Sequence, residues 1–91
     1  MANELEASQH YFKGTLSAVG KNYEEALKEF DMAIKLNPKY AEAYNNKGLV
    51  LSKLGRFDDA LKEINRAIKL NPNNSTFLDN KNTVIKLSKK R

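Results

Sequence analysis

The chain has no cysteine, only two prolines, four glycines and one histidine among its 91 residues. Without cysteine there is no disulfide, no thiolate nucleophile and no thiolate metal site, a composition that suits a reducing compartment. His10 stands alone, with no partner set for a metal or a triad, and reads as a surface or packing residue. So few prolines and glycines leave long uninterrupted segments, which favours helix. No apolar run approaches the roughly 18 residues that a membrane span requires. The polar, acidic start MANELEASQHYFKG has no apolar signal core. Phosphate loops, nucleophile elbows and zinc spacings are missing as well. The expectation is a soluble, cytoplasmic, non-catalytic protein with no cofactor, no metal, no small-molecule substrate and no membrane partner.

What is present is charge, a moderate apolar content and a repeat. Hydrophobic residues make up 41% and charged residues 30%, enough for a modest core. The formal charge of +5 comes from 16 Lys and Arg against 11 Asp and Glu. Much of the excess crowds the end, at Lys86, Lys89, Lys90 and Arg91. Such a tail can contact nucleic acid or anionic lipid. It equally suits the negative end of a helix dipole, and the interleaved acids and bases of the body favour that plainer reading.

The hexapeptide AIKLNP occurs at 33–38 and again at 67–72, 34 residues apart. Laid over 41–74 without gaps, residues 7–40 are identical at Ala7/Ala41, Lys13/Lys47, Gly14/Gly48, Ala26/Ala60, Leu27/Leu61, Lys28/Lys62, Glu29/Glu63 and throughout the hexapeptide. A fixed period of this length marks an array of supersecondary units. Within each unit the second half is helical: Tyr23, Ala26, Leu27, Phe30, Ala33 and Ile34, then Phe57, Ala60, Leu61, Ile64, Ala67 and Ile68, each draw one stripe down a helix. Small and bulky members alternate, so another helix can approach closely. Glu24–Lys28 and Asp31–Lys35 are spaced as i,i+4 pairs.

AIKLNP ends this helix. Proline disfavours helical geometry at Asn37 and Asn71 and has no N–H to continue the ladder, while Lys35 and Lys69 suit the exposed carbonyls. The preceding helix of the second unit runs from about Ala41 to Leu54 and is closed by Gly55. Each unit is thus an antiparallel pair, helix A then helix B. A third A-type helix follows, with Ser75 as its expected N-cap and Phe77, Leu78, Lys81, Val84 and Ile85 on one face. A lone helix of this kind covers the apolar flank of the last unit. The expectation is an all-α chain of five helices: repeat 1 over 7–40, repeat 2 over 41–74 and a capping helix over 75–89.

These residues resemble the tetratricopeptide repeat (TPR) family. In the second unit the resemblance rests on Tyr44, Gly48, Leu51, Gly55, Phe57, Ala60, Ala67 and Pro72. There Ile64 stands for the usual aromatic and Lys47 for the usual leucine. Residues 75–88 continue the register with Asn82 in place of glycine. The first unit departs more, since His10 replaces an aromatic, Ser17 a large residue, and Gly20 falls one place early. Phe12, Leu16 and Val19 would make a better stripe if that helix were shifted by one, whereas Lys13-Gly14 mirrors Lys47-Gly48 and favours the ungapped register.

The resemblance implies a right-handed α-α superhelix whose A helices line a concave groove, and a protein-interaction scaffold that holds a peptide or helix of a partner. Its groove positions imply Tyr11, Phe12 and Thr15 from the first unit, Asn45, Asn46, Leu49 and Lys53 from the second, and Asp79 and Thr83 from the last helix. Asn45 and Asn46 could bond a peptide backbone while Tyr11, Phe12 and Leu49 supply contact area. The carboxylate clamp of chaperone-binding TPR domains is not preserved: its lysine and asparagine become Tyr11 and Thr15, its second asparagine is Asn46, and its later lysine and arginine become Thr76 and Asn80. The alternative is a self-associating unit forming a homo-oligomer, and a basic nucleic-acid binder ranks third.

Overall fold

The computed structural model describes residues 2–90; Arg91, counted above in the basic tail, lies outside the described residues. Among these, five helices follow one another with no strand: α1 Ala2–Val19, α2 Tyr23–Leu36, α3 Ala41–Lys53, α4 Phe57–Leu70 and α5 Ser75–Ser88. α1 packs on α2 and α3 on α4, α3 docks on α2, and α5 docks on α4.

The alternation of small and bulky residues sets how closely these helices meet. Ala26, Ala33, Ala60 and Ala67 are completely buried, as are Phe30 and Ile64 between them. Burying a side chain of that size stabilises by about 1.5–3 kcal/mol relative to leaving it exposed. A Cβ added to Gly14 would lie 2.7 Å from the Phe30 ring. At Gly48 it would meet Ile64 Cγ1 at 2.6 Å and the Ala60 carbonyl oxygen at 2.9 Å. The A and B helices of each pair therefore touch backbone to side chain at these glycines.

AIKLNP behaves as a stop. α2 and α4 end at Leu36 and Leu70, and Asn37 and Asn71 swing out to φ −141° and −143° while their N–H groups still reach Ala33 O and Ala67 O. The Tyr44 hydroxyl donates to the Pro38 carbonyl at 2.9 Å, tying the next helix to the turn.

The hairpin turns settle the first unit's register. Gly55, with φ 78°, donates to Ser52 O, and Arg56 donates to Leu51 O. Lys21, with φ 63°, donates to Ala18 O, and Asn22 to Ser17 O, the same pattern 34 residues earlier. The ungapped register holds, with a lysine in the left-handed conformation that Gly55 adopts without strain. The stripe of Phe12, Leu16 and Val19 consequently faces away from α2.

α1 starts at Ala2, ahead of the first repeat, so Leu5 is part of it. Other expectations are corrected. α5 is capped by Asn74, whose side-chain oxygen accepts from the Phe77 N–H at 3.0 Å, rather than by Ser75. On α5 it is Phe77 and Val84 that are buried, against Ala41, Tyr44 and Ala67 and against Leu51, Ala60 and Ile64 respectively. Leu78 is exposed, and none of the described helices covers its face. Asp31 reaches across to Lys47 Nζ at 2.8 Å, which brings α2 to α3. His10 is half-buried against α2, its Nδ1 lying 2.7 Å from Glu29 Oε1, in keeping with a packing residue.

Candidate functional site

Periodicity places one A helix beside the next, so residues that share a register meet across the array. Asn46 Nδ2 donates to the Tyr11 hydroxyl at 3.1 Å, and Asn80 Nδ2 donates to Asn45 Oδ1 at 3.1 Å. These are the same contact one repeat apart. Asn45 Nδ2 donates to Asn46 Oδ1 at 3.1 Å and joins them into one ladder, Asn80–Asn45–Asn46–Tyr11, running from α5 through α3 to α1. A side-chain amide donates and accepts at once, so it can relay such a chain in both directions.

Tyr11 ends the ladder in an aromatic cluster. Its ring centroid lies 5.0 Å from Tyr40, 5.5 Å from Phe12 in an edge arrangement and 6.0 Å from Phe30. Burial pushes the Tyr11 hydroxyl above its ordinary 10.0, and the Asn46 bond offsets part of that. Thr15 Oγ1 donates to the Tyr11 carbonyl at 3.0 Å, which leaves its methyl free for apolar contact.

Beside this ladder, α1 and α3 diverge to leave a cleft of ≈ 240 Å³. Thr15, Ala18 and Val19 form one wall, Asn46, Leu49, Val50 and Lys53 the other, and Tyr23 and Phe30 lie beneath. The surface is mainly apolar, with an amide at one side and the exposed Lys53 ammonium as its charged group. This can seat an apolar side chain and orient a polar backbone; it contains no nucleophile paired with a base.

Of the residues expected from sequence, Thr15, Asn46, Leu49 and Lys53 meet in this cleft, and Tyr11 adjoins it through Asn46. Phe12 does not line it; it is 62% exposed on the outer side of α1. Asn45 is only 4% exposed and holds Asn46 and Asn80 in place, so a ligand's backbone cannot reach it as expected. Asp79 and Thr83 are exposed on α5, away from the cleft. Tyr23 had not been picked out among those residues. Tyr23 was legible only as part of the α2 stripe, and the hairpin carries it under the cleft.

The geometry is that of a helical repeat scaffold with a side-chain-sized recess, and comparison with known proteins agrees on the repeat. Residues 41–74 match the family described as tetratricopeptide repeat, and residues 20–55 match a second model described as TPR repeat. The chain belongs to the tetratricopeptide repeat family. It is 39% identical over 57 residues to an uncharacterized protein of Methanocaldococcus jannaschii, covering 62% of this chain and 66% of that protein. The structure of the TPR2B domain of yeast Sti1 in a complex with pHsp70 is similar at TM-score 0.84 and 28% identity, covering 88% of this chain and 64% of that one. The chain thus spans about two thirds of the length of each, 66% and 64%. A TPR fold supports a protein-interaction scaffold, and among the described residues no helix is long and apolar enough to cross a membrane.

Proposed function

We propose that the cleft between α1 and α3 receives a peptide or helix of a protein partner, with one apolar side chain inserted between Ala18, Val19 and Leu49. The observation that carries this reading is the cleft itself: an open, largely apolar recess on the A-helix face, with Asn46 held ready by the ladder and Lys53 at its edge. The Sti1 domain, which is similar in fold, is in a complex with pHsp70, and this supports a peptide-like ligand. The clamp pattern is not preserved, so the reading requires no terminal carboxylate. Lys53 favours an acidic group beside the apolar anchor.

Peptides selected from a random displayed library supply the probe, and their affinities are measured by calorimetry. Leu49→Asp, with helicity checked by circular dichroism, weakens them by more than about tenfold, or 1.4 kcal/mol. Selected peptides that bind Leu49→Asp as tightly as the wild type would overturn the proposal.

A further inference from the structure

α1 carries a second apolar face that the fold leaves bare. Leu5, Phe12, Leu16 and Val19 are 66%, 62%, 72% and 77% exposed, whereas the other exposed large apolar side chains reach at most 42%. On a helix the spacings of seven, four and three residues place all four on one narrow stripe, opposite the buried Ala7 and Gly14. The register says what such a stripe is for. Val50 of α3 packs on Ala26 and Phe30 of the preceding B helix, and Val84 of α5 packs on Ala60 and Ile64. Leu16 stands at the equivalent place on α1, and none of the described helices packs on it.

We propose that a second copy of this chain covers the stripe, α1 pairing antiparallel with α1 about a twofold axis at Phe12. The spacing is self-complementary under that symmetry, since Leu5 and Val19 each lie seven residues from Phe12. Leu5 of one copy then meets Val19 of the other, Phe12 meets Phe12, and Leu16 fits over the small Ser8. Lys21 and the helix dipoles favour the antiparallel order. Glu4 and Glu6 are exposed near one end of α1, and Lys21 is exposed just past the other, ahead of the exposed Glu24 and Glu25 of α2. Antiparallel pairing sets acid beside base and opposes the helix dipoles, whereas parallel pairing sets like beside like.

The size of the stripe suits a weak dimer. The largest bare apolar patch on a typical monomer is roughly 300–600 Å² and is often functional. The 18 residues of α1 offer a strip about 27 Å long and roughly 10 Å wide, on the order of 300 Å², short of the roughly 800 Å² per partner of a tight complex unless its rim contributes. The dimer forms with a Kd on the order of 10–100 μM. This inference does not rest on the cleft reading: the two surfaces share only Val19, and Leu5, Phe12 and Leu16 do not line the cleft.

Sedimentation equilibrium from about 1 to 500 μM reads the mass directly. The wild type rises from 10.3 kDa toward twice that value, and Leu16→Glu stays at 10.3 kDa with unchanged helicity. Glu4→Lys weakens association, and adding Lys21→Glu restores it. Since the chain has no cysteine, Leu5→Cys mixed with Val19→Cys forms a disulfide-linked pair more readily than either variant alone. A wild type that stays at 10.3 kDa throughout, or a dimer that survives Leu16→Glu, overturns the proposal. Leu5→Cys that crosslinks with itself in preference to Val19→Cys overturns the antiparallel order.

Discussion

Tyr11 shows how one side chain is set by everything around it. Its ring fills the space between Tyr40, Phe12 and Phe30, and its hydroxyl closes the ladder from Asn80. Burial favours the neutral phenol, so its folded value is raised above 10.0. A raised value means that the folded state holds the proton after the unfolded state has lost it. The contribution to stability is therefore fully present below the unfolded value and is lost as pH rises through the folded one. Tyrosinate absorbance should show one tyrosine titrating later than in the urea-unfolded chain. The denaturation midpoint should fall once the pH passes 10.0, and less so in Tyr11→Phe. A midpoint that falls equally in both proteins would contradict this account of Tyr11.

At the scale of helices and turns, the sequence discloses its elements because each has a local physical cause. The stripe of Tyr23, Ala26, Leu27, Phe30, Ala33 and Ile34 has a helical period, and Pro38 and Pro72 force a stop. The first turn is less legible. Gly20 suggests where the left-handed residue should be, but Ser17 and Ala18 carbonyls fix that conformation on Lys21 instead. Lys21→Gly should raise stability by about 0.5–1 kcal/mol, the relief of strain exceeding the entropy of the freer unfolded chain. Urea denaturation checks this, and a less stable variant would refute the turn argument. α5 covers Ala60, Ile64 and Ala67 through Phe77 and Val84. A chain ending at Asn74 should lose cooperativity and bind an apolar dye; retention of a sharp transition would contradict the capping role.

The candidate site was only partly legible, and the reason lies in tertiary direction. The groove positions implied by the family resemblance pointed to Thr15, Asn46, Leu49 and Lys53, because A-helix phase carries those positions from unit to unit. They could not show that Asn45 turns inward to Asn80 or that Phe12 faces outward with Leu5 and Leu16. Nor could they show Asp31 reaching Lys47 instead of staying on its own helix with Lys35. Those choices depend on which neighbour lies alongside, and sequence spacing does not record that.

At the scale of the whole molecule, the five helices of the described residues step forward so that A helices stand side by side, fastened by amides that repeat with the array. α1 and α3 leave a cleft, and the central claim is that this cleft is where a partner is held. The most direct measurement is a backbone amide NMR titration of the wild type with a library-selected peptide. The account predicts the largest shifts at Thr15, Ala18, Val19, Asn46, Leu49 and Lys53. Shifts confined instead to the charged hollow of Asp31, Lys47, Arg56 and Glu63 between the helix pairs would contradict it.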